Sequence, residues 1–315
     1  MKIIRNTCIS SVLLLCFMLP TSVWAQFRPY YEDGQGVAPV YEGYQENPDG
    51  SYTMFFGYMN ENWEEELFVP IGANNAFSPG SADRGQPTRF LPRRNRMVFG
   101  IDVPADFGNQ ELEWTLITRE GVTQKAYGSL RKDYVLEPIT VQSEAGTVAG
   151  GRENGEDVQG NVPPTIRLVG ERVRRARVGE PLTLEVIVED DGNPKVRRYP
   201  VAFNEDDTPQ QRLAKALRPP IRGVVNRVVG MYFAWHVYRG DVEVVFEPLQ
   251  AKIWEDTRAF QNSPWSPYWE PPKLPQGNRW ISEVVFDRPG EYVLRGRADD
   301  GGLTSDTEVT VQVSR

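Results

Sequence analysis

The sequence predicts an all-β protein of two β-sandwich domains joined by a Gly-rich linker. Three observations carry that expectation. Glycine (28) and proline (25) are abundant over 315 residues, which favours short strands between turns over long helices. Apolar residues recur at every second position in many short runs. Residues 143–162 hold five glycines and no apolar periodicity, and they separate two sets of such runs. Composition agrees: 14 Phe, 13 Tyr and 8 Trp in a chain that is 40% hydrophobic and 25% charged can fill two cores.

Residues 1–25 read as a signal peptide. Lys2 and Arg5 precede an apolar run over 9–19, Pro20 breaks it, and Val23 and Ala25 give the small-residue cleavage pattern, so the mature chain is expected to start at Gln26. The run is too short to span a bilayer and no later stretch is long enough, so no membrane span is expected in the mature chain. Leu15 stands where a lipoprotein signal ending at Cys16 would need a small residue. The expected location is periplasmic or extracellular.

Cleavage changes the available chemistry. Cys8 and Cys16 are the only cysteines, and their loss excludes disulfides, thiolate catalysis and cysteine-bound metal. The leader carries two basic and no acidic residues, so the formal charge moves from −8 to −10, which argues against a nucleic-acid partner. His236 is the sole histidine, which excludes multi-histidine metal sites and weakens any triad hydrolase.

The first domain spans 26–142. A strand over 37–46 meets the turn Asn47-Pro48-Asp49-Gly50, and the strand over 51–59 returns with aromatic residues on both faces, as a central strand would. Period-two spacing predicts further strands at Glu65-Leu67-Val69-Ile71, Met97-Phe99-Ile101-Val103 and Leu112-Trp114-Leu116. The linker, 143–162, is expected to be flexible. Pro163 and Pro164 open the second domain, 163–315. Its strands are expected at 182–188, 232–238, 281–286, 291–298 and 307–313. One short helix is expected in an insertion: Thr208 caps it, Pro209 suits its first position, Gln211 completes a capping box, and Leu213 and Leu217 share a face before Pro219-Pro220.

In this second domain PPTIRLVG, VGEPLTLEVIVEDDGNP, a strand with Trp235, and RPGEYVLRGRADDGGLTSDTEVTVQV resemble a bacterial immunoglobulin-like module of the PKD or cadherin-like type. Pro289-Gly290-Glu291-Tyr292 matches a tyrosine corner, Leu294 stands at the position of the second immunoglobulin cysteine, and Trp235 fits the buried strand-C tryptophan. The resemblance implies an immunoglobulin-like sandwich with loop insertions near 194–230 and 247–279, and no particular activity. The first domain, with YEGYQENPDGSYTMFFGYMNENWEEEL, is similar to exported bacterial proteins to which no activity is attached.

Three residue groups are candidate sites. Trp254, Trp265, Tyr268, Trp269 and Trp280 crowd one insertion, where flat rings can stack on sugars or anchor a protein, or fold back over an open face of the sandwich. Arg84, Arg89, Arg93, Arg94 and Arg96 can grip a carboxylate or phosphate, or pair internally with Glu64, Glu65 and Glu66. Asp190 and Asp191 end one strand and Asp299 and Asp300 another, at the same end of an immunoglobulin-like sandwich, so they can converge on calcium or serve as ordinary turn caps. Calcium is thus the one cofactor in view. Arg172, Arg174, Arg175 and Arg177 read as guards of an edge strand. His236 shares a strand face with Tyr238 and has no local orienting carboxylate.

The functional expectation is a non-catalytic exported binding or structural protein of the bacterial envelope, with an envelope protein or polysaccharide as partner. The alternative is carbohydrate binding through the 254–280 aromatics. A carboxylate-dependent glycoside hydrolase comes third; it needs an acidic pair across a cleft and no histidine or cysteine.

Overall fold

The computed structural model describes residues 30–315 apart from 138–139, 143–159, 196–201, 219–229, 255 and 257–268. The expected leader, most of the expected linker, Trp265 and Tyr268 lie outside the described residues. The chain divides into residues 1–30, of which only Tyr30 is described, and one compact unit over 31–315.

Eight strands form the first half: β1 (Val37–Glu46), β2 (Tyr52–Asn60), β3 (Leu67–Phe68), β4 (Asn75–Ser78), β5 (Arg89–Phe90), β6 (Arg93–Val103), β7 (Leu112–Ile117) and β8 (Thr123–Gly128). One sheet runs β1-β2-β6, with the aromatic β2 central as expected, and a second runs β4-β7-β8. The core between them is a stack of rings. Phe56 from β2 lies 5.7 Å from Phe99 of β6, and Phe77 of β4 lies 5.6 Å from Trp114 of β7. The Trp114 indole N–H donates to Asn75 Oδ1 at 3.0 Å, while the Asn75 amide donates to the Val69 and Pro87 carbonyls, so this buried polar residue is satisfied.

The strand expected over 65–71 shrinks to the two residues of β3, which pair with β5. Pro70 has no N–H to donate to a ladder. Just before β3, the buried Asn60 amide takes the Glu65 carbonyl at 2.8 Å in place of a neighbouring strand. The short strands β4 and β5 escaped sequence reading because neither is long enough to show a period.

The second half holds β9 (Thr165–Leu168), β10 (Val173–Arg177), β11 (Leu182–Glu189), β12 (Tyr232–Arg239), β13 (Val244–Glu247), β14 (Arg279–Phe286), β15 (Gly290–Asp299) and β16 (Thr304–Ser314). Its sheets run β13-β14-β11-β9 and β10-β16-β15-β12, with β10 parallel to β16 and the other pairs antiparallel. This is the strand order of an immunoglobulin-like sandwich: A, B, E and D in one layer, C, F and G in the other. Trp235 and Leu294 are buried in its core, and the Tyr292 hydroxyl donates back to the Pro289 and Arg288 carbonyls at 2.9 and 3.2 Å, closing the tyrosine corner. Gly296, opposite Trp235 in the register, has to be glycine: a Cβ there would sit 2.3 Å from the Phe233 ring. The arginine-rich β10 is an edge strand, as expected.

The expected helix forms as α1 (Pro209–Ala216). Thr208 Oγ1 accepts from Gln211 N–H at 3.3 Å, and the Gln211 side chain accepts from Thr208 N–H at 2.8 Å. Both orphan donors are thereby satisfied.

Candidate functional site

The sheet β10-β16-β15-β12 places apolar residues on one face and charged ones on the other. Phe233, Trp235, Leu294, Ala298, Val309 and Val311 face the sandwich core. The opposite face carries His236 and Tyr238 from β12, Arg295 and Arg297 from β15, and Asp306 and Glu308 from β16. Such alternation ordinarily marks a solvated face. Here both arginines are buried, because the first sandwich covers them.

The contacts are specific. Arg297 holds Asp306 with two bonds of 2.8 Å, a fork-on-carboxylate pair. Arg295 binds Glu308, donates to the Val98 carbonyl of β6, and lies over the Tyr238 ring at 3.4 Å. Tyr238 belongs to the core of the first sandwich, and its hydroxyl donates to the Gly85 carbonyl at 2.6 Å. Arg239 reaches Asp83 and the Gln86 carbonyl, and the Thr88 N–H donates to the Tyr238 carbonyl at 3.1 Å. The edge of β12 is therefore occupied by the loop before β5.

Electrostatics follow from this burial. Burial works against the Arg297 charge, but Asp306 more than offsets it and the guanidinium is held charged. Desolvation works to raise the Asp306 carboxyl, but Arg297 and Arg295 outweigh it and draw the group below the usual carboxylate range. His236 is pushed down to about 3 by burial and then by Arg297 and Arg295, with Asp306 opposing. A neutral imidazole this weakly basic is a poor general base at neutral pH. Its Nδ1 is buried without a protein partner.

Two hollows flank this interface. A cleft of about 210 Å³ opens at the β12 edge, lined by Arg89, Glu66, Glu243, His236, Lys252 and Trp254 among others. It brings Arg89 and Trp254, nominated separately from the sequence, to one place. Arg89 stands between Glu66 (2.5 Å) and Glu243 (3.1 Å), so the acidic pair of this cleft grips a guanidinium where a glycoside would have to enter. A larger hollow, about 870 Å³, lies between the sandwiches, with Phe55, Met97, Val141, Leu303 and Asp306 in its wall.

The nominated arginines are occupied one by one. Besides Arg89, Arg94 pairs with Glu42 at 2.7 Å, Arg93 donates to the Glu61 carbonyl and lies over Trp63, and Arg84 donates to the Pro79 carbonyl. Arg96 is engaged as well. Of the three expected partners, Glu66 takes Arg89 while Glu65 takes Arg119 instead. The arginines fan out along the loop before β5, β5 itself and β6, and do not converge.

Of the aromatic group, Trp269 meets Tyr232 edge-on at 5.0 Å and Trp280 packs beside Phe233 at 6.1 Å, both folding back on the second sandwich. Trp254 carries Lys252 over its ring at 4.6 Å.

The four aspartates act as turn caps. Asp190 accepts from Gly192 N–H, Asp299 from Gly301 N–H and Tyr232, and Asp300 from Gly302 and Leu303 N–H. The two strand ends do meet, through residues 161–162: Val162 N–H donates to Asp191 and the Asn161 amide to Asp300, at 3.1 Å each. Asn161 also reaches Gln142, so this corner joins both sides of the 143–159 segment. Burial pushes Asp300 up to about 7, against its three hydrogen bonds. Among the described residues no group of three or more His, Asp or Glu is placed to hold a metal. No helix among them is long and apolar enough to cross a membrane.

The chain matches no protein-family model and no curated protein. Among solved structures it is similar to a chimeric titin Z1Z2 carrying an exogenous peptide from decorin (10% identity, 90% of this chain and 100% of that one, TM-score 0.21). It is also similar to domains 4 and 5 of the S-layer protein SbsC (11%, 90% and 96%, TM-score 0.22) and to the D00-D0 domain of intimin (8%, 89% and 100%, TM-score 0.23). Overlaps this loose carry no argument about function. What identifies the second half as immunoglobulin-like is its own strand order, buried Trp235 and tyrosine corner.

Proposed function

We propose that this chain is an exported, non-catalytic structural or binding protein of the bacterial cell envelope, in which two β-sandwiches act as one rigid body. The observation that supports it is the burial of Arg295 and Arg297 between the sandwiches, each with its carboxylate. Charges are costly to bury, and a flexible pair of modules would leave them in water. The site chemistry points the same way, since the sole imidazole is held neutral and the acidic pair of the cleft is taken by Arg89.

The mature chain expected after cleavage at Gln26 has no cysteine, so spin labels can be placed without background. With Thr123→Cys and Thr183→Cys, one label on each sandwich, pulsed dipolar spectroscopy should give a single narrow distance distribution. A broad distribution would refute the rigid unit. The carbohydrate reading now rests on Trp254, Trp265 and Tyr268; glycan titrations that respond to Trp265→Ala would revive it.

A further inference from the structure

Helix α1 buries none of its residues. An eight-residue helix is marginal in water, and most short protein helices persist because one face packs. This one is held from its own end instead. Besides the capping box, Arg212 donates to the carbonyls of Asn204, Glu205 and Asp207, and Lys215 binds Asp207 at 2.6 Å. The face it presents is apolar: Leu213 is 60% exposed and Leu217, one turn on, 65%, with Phe203 also exposed nearby in sequence. Arg218 follows and forms no ion pair among the described residues. The insertion around it, 194–230, holds eight Lys and Arg against three Asp and Glu, in a chain of net charge −8.

A surface of opposite character lies on the outer face of β13 and β14. Val245 is 70% exposed, Ile281 51%, and Leu249, two residues past β13, 91%. Between the apolar positions, Glu247 stands directly opposite Glu283 in the antiparallel register. Both are exposed and neither has an ion-pair partner among the described residues. Like charges at opposed positions destabilise a strand pair, and a cation set between them relieves the repulsion.

We propose that α1 of one copy docks on the β13–β14 outer face of a second copy, with Leu213 and Leu217 against Val245, Leu249 and Ile281 and Arg218 between Glu247 and Glu283. The two patches are different surfaces of one molecule, so the contact is head-to-tail and repeats from copy to copy into open chains, or into a ring where the rotation closes. This extends the structural reading above without being required by it: failure of the contact leaves the rigid two-sandwich unit standing.

The test uses the mature chain in sedimentation velocity over a wide concentration range at low salt. Wild type should grow with concentration through dimers to longer chains, and should shorten as salt rises. Leu213→Asp with Leu217→Asp disables one patch, and Glu247→Lys with Glu283→Lys disables the other. Each double variant alone should stay monomeric, whereas a mixture of the two should form a one-to-one dimer and stop there. All substituted side chains are exposed, and circular dichroism checks that both variants fold. A wild type that stays monomeric at every concentration overturns the proposal, as does a mixture that stays monomeric. So does flotation of monomeric wild type with phosphatidylglycerol vesicles that the Leu variant alone loses, which would make the helix face a lipid contact.

Discussion

Along β15 and β12 the sheet β10-β16-β15-β12 is buried on both faces, by opposite means. The inner face follows the ordinary rule for a sandwich, with Trp235, Leu294, Val309 and Val311 packed against the facing sheet. The outer face holds Arg295 and Arg297 under the first sandwich, each matched by a carboxylate, Glu308 and Asp306, that keeps some exposure. The inner face therefore gains stability from apolar area alone. The outer face gains little net stability and fixes orientation instead, since a charged fork tolerates only one placement of the facing backbone. Distance from the core does not separate these faces; what lies opposite each one does.

The largest expected effect tests the inner face. Trp235→Ala should cost about 3–5 kcal/mol in denaturant unfolding, as for other large-to-small core changes. A cost under 1 kcal/mol would mean the ring is not a core element. Next comes the outer face. Arg297→Ala leaves the partly exposed Asp306 with Arg295 3.8 Å away as its remaining cation. A loss of about 2 kcal/mol is expected, below that for a fully buried pair because water can still reach the carboxylate. The double change Arg297→Met with Asp306→Leu should recover most of that stability while loosening the placement of the sandwiches. If the double variant were as unstable as the single one, the pair would matter for more than its own neutralisation.

Protonation separates the interface from its rim. His236, ordinarily near 6.5, is pushed down to about 3 in the folded chain. Its contribution is present above pH 6.5 and is lost as pH falls from there toward 3. Asp300, ordinarily 3.8, is raised to about 7. Its contribution is present below about pH 4 and is lost as pH rises through 7. The two slopes oppose each other between pH 4 and 6.5. His236→Gln should remove the acid-side loss, and Asp300→Asn should raise stability above pH 7 while keeping an Oδ1 acceptor for Gly302 and Leu303. Unfolding free energies across pH 4–8 check both; unchanged slopes would contradict the assignments. The smallest effect belongs to the tyrosine corner. Tyr292→Phe removes the hydroxyl that serves the Pro289 and Arg288 carbonyls and should cost about 1 kcal/mol. A cost near zero would mean the corner is held by ring packing alone.

The same contrast explains what could be read from the sequence. Features set by nearest neighbours were legible. The Thr208–Gln211 box, the Asn47–Gly50 turn, the central β2 and the tyrosine corner each declare themselves within a few residues. Strands of two to four residues, such as β4, β5 and β13, are too short to show a period, and the period over 65–71 overstated β3. The docking of the two sandwiches was hidden for another reason. Arg295, Arg297, Asp306 and Glu308 alternate with apolar residues as a wet face would, and only the covering surface, distant in sequence, shows the two arginines to be buried. The candidate site suffered likewise: Arg89 and Trp254 are 165 positions apart and meet only across the β12 edge. The arginine run, conversely, looked like one site because its members are close in sequence, whereas strand geometry sends them to separate partners.

The most direct test of the central claim is to cut the chain between the sandwiches. With a specific protease site introduced within residues 143–159, the cleaved mature protein should elute as one species of unchanged size and separate only when the fold is denatured. Arg297→Ala should make the cut halves come apart more readily. Free separation of the wild-type halves after cleavage, under native conditions, would contradict the account.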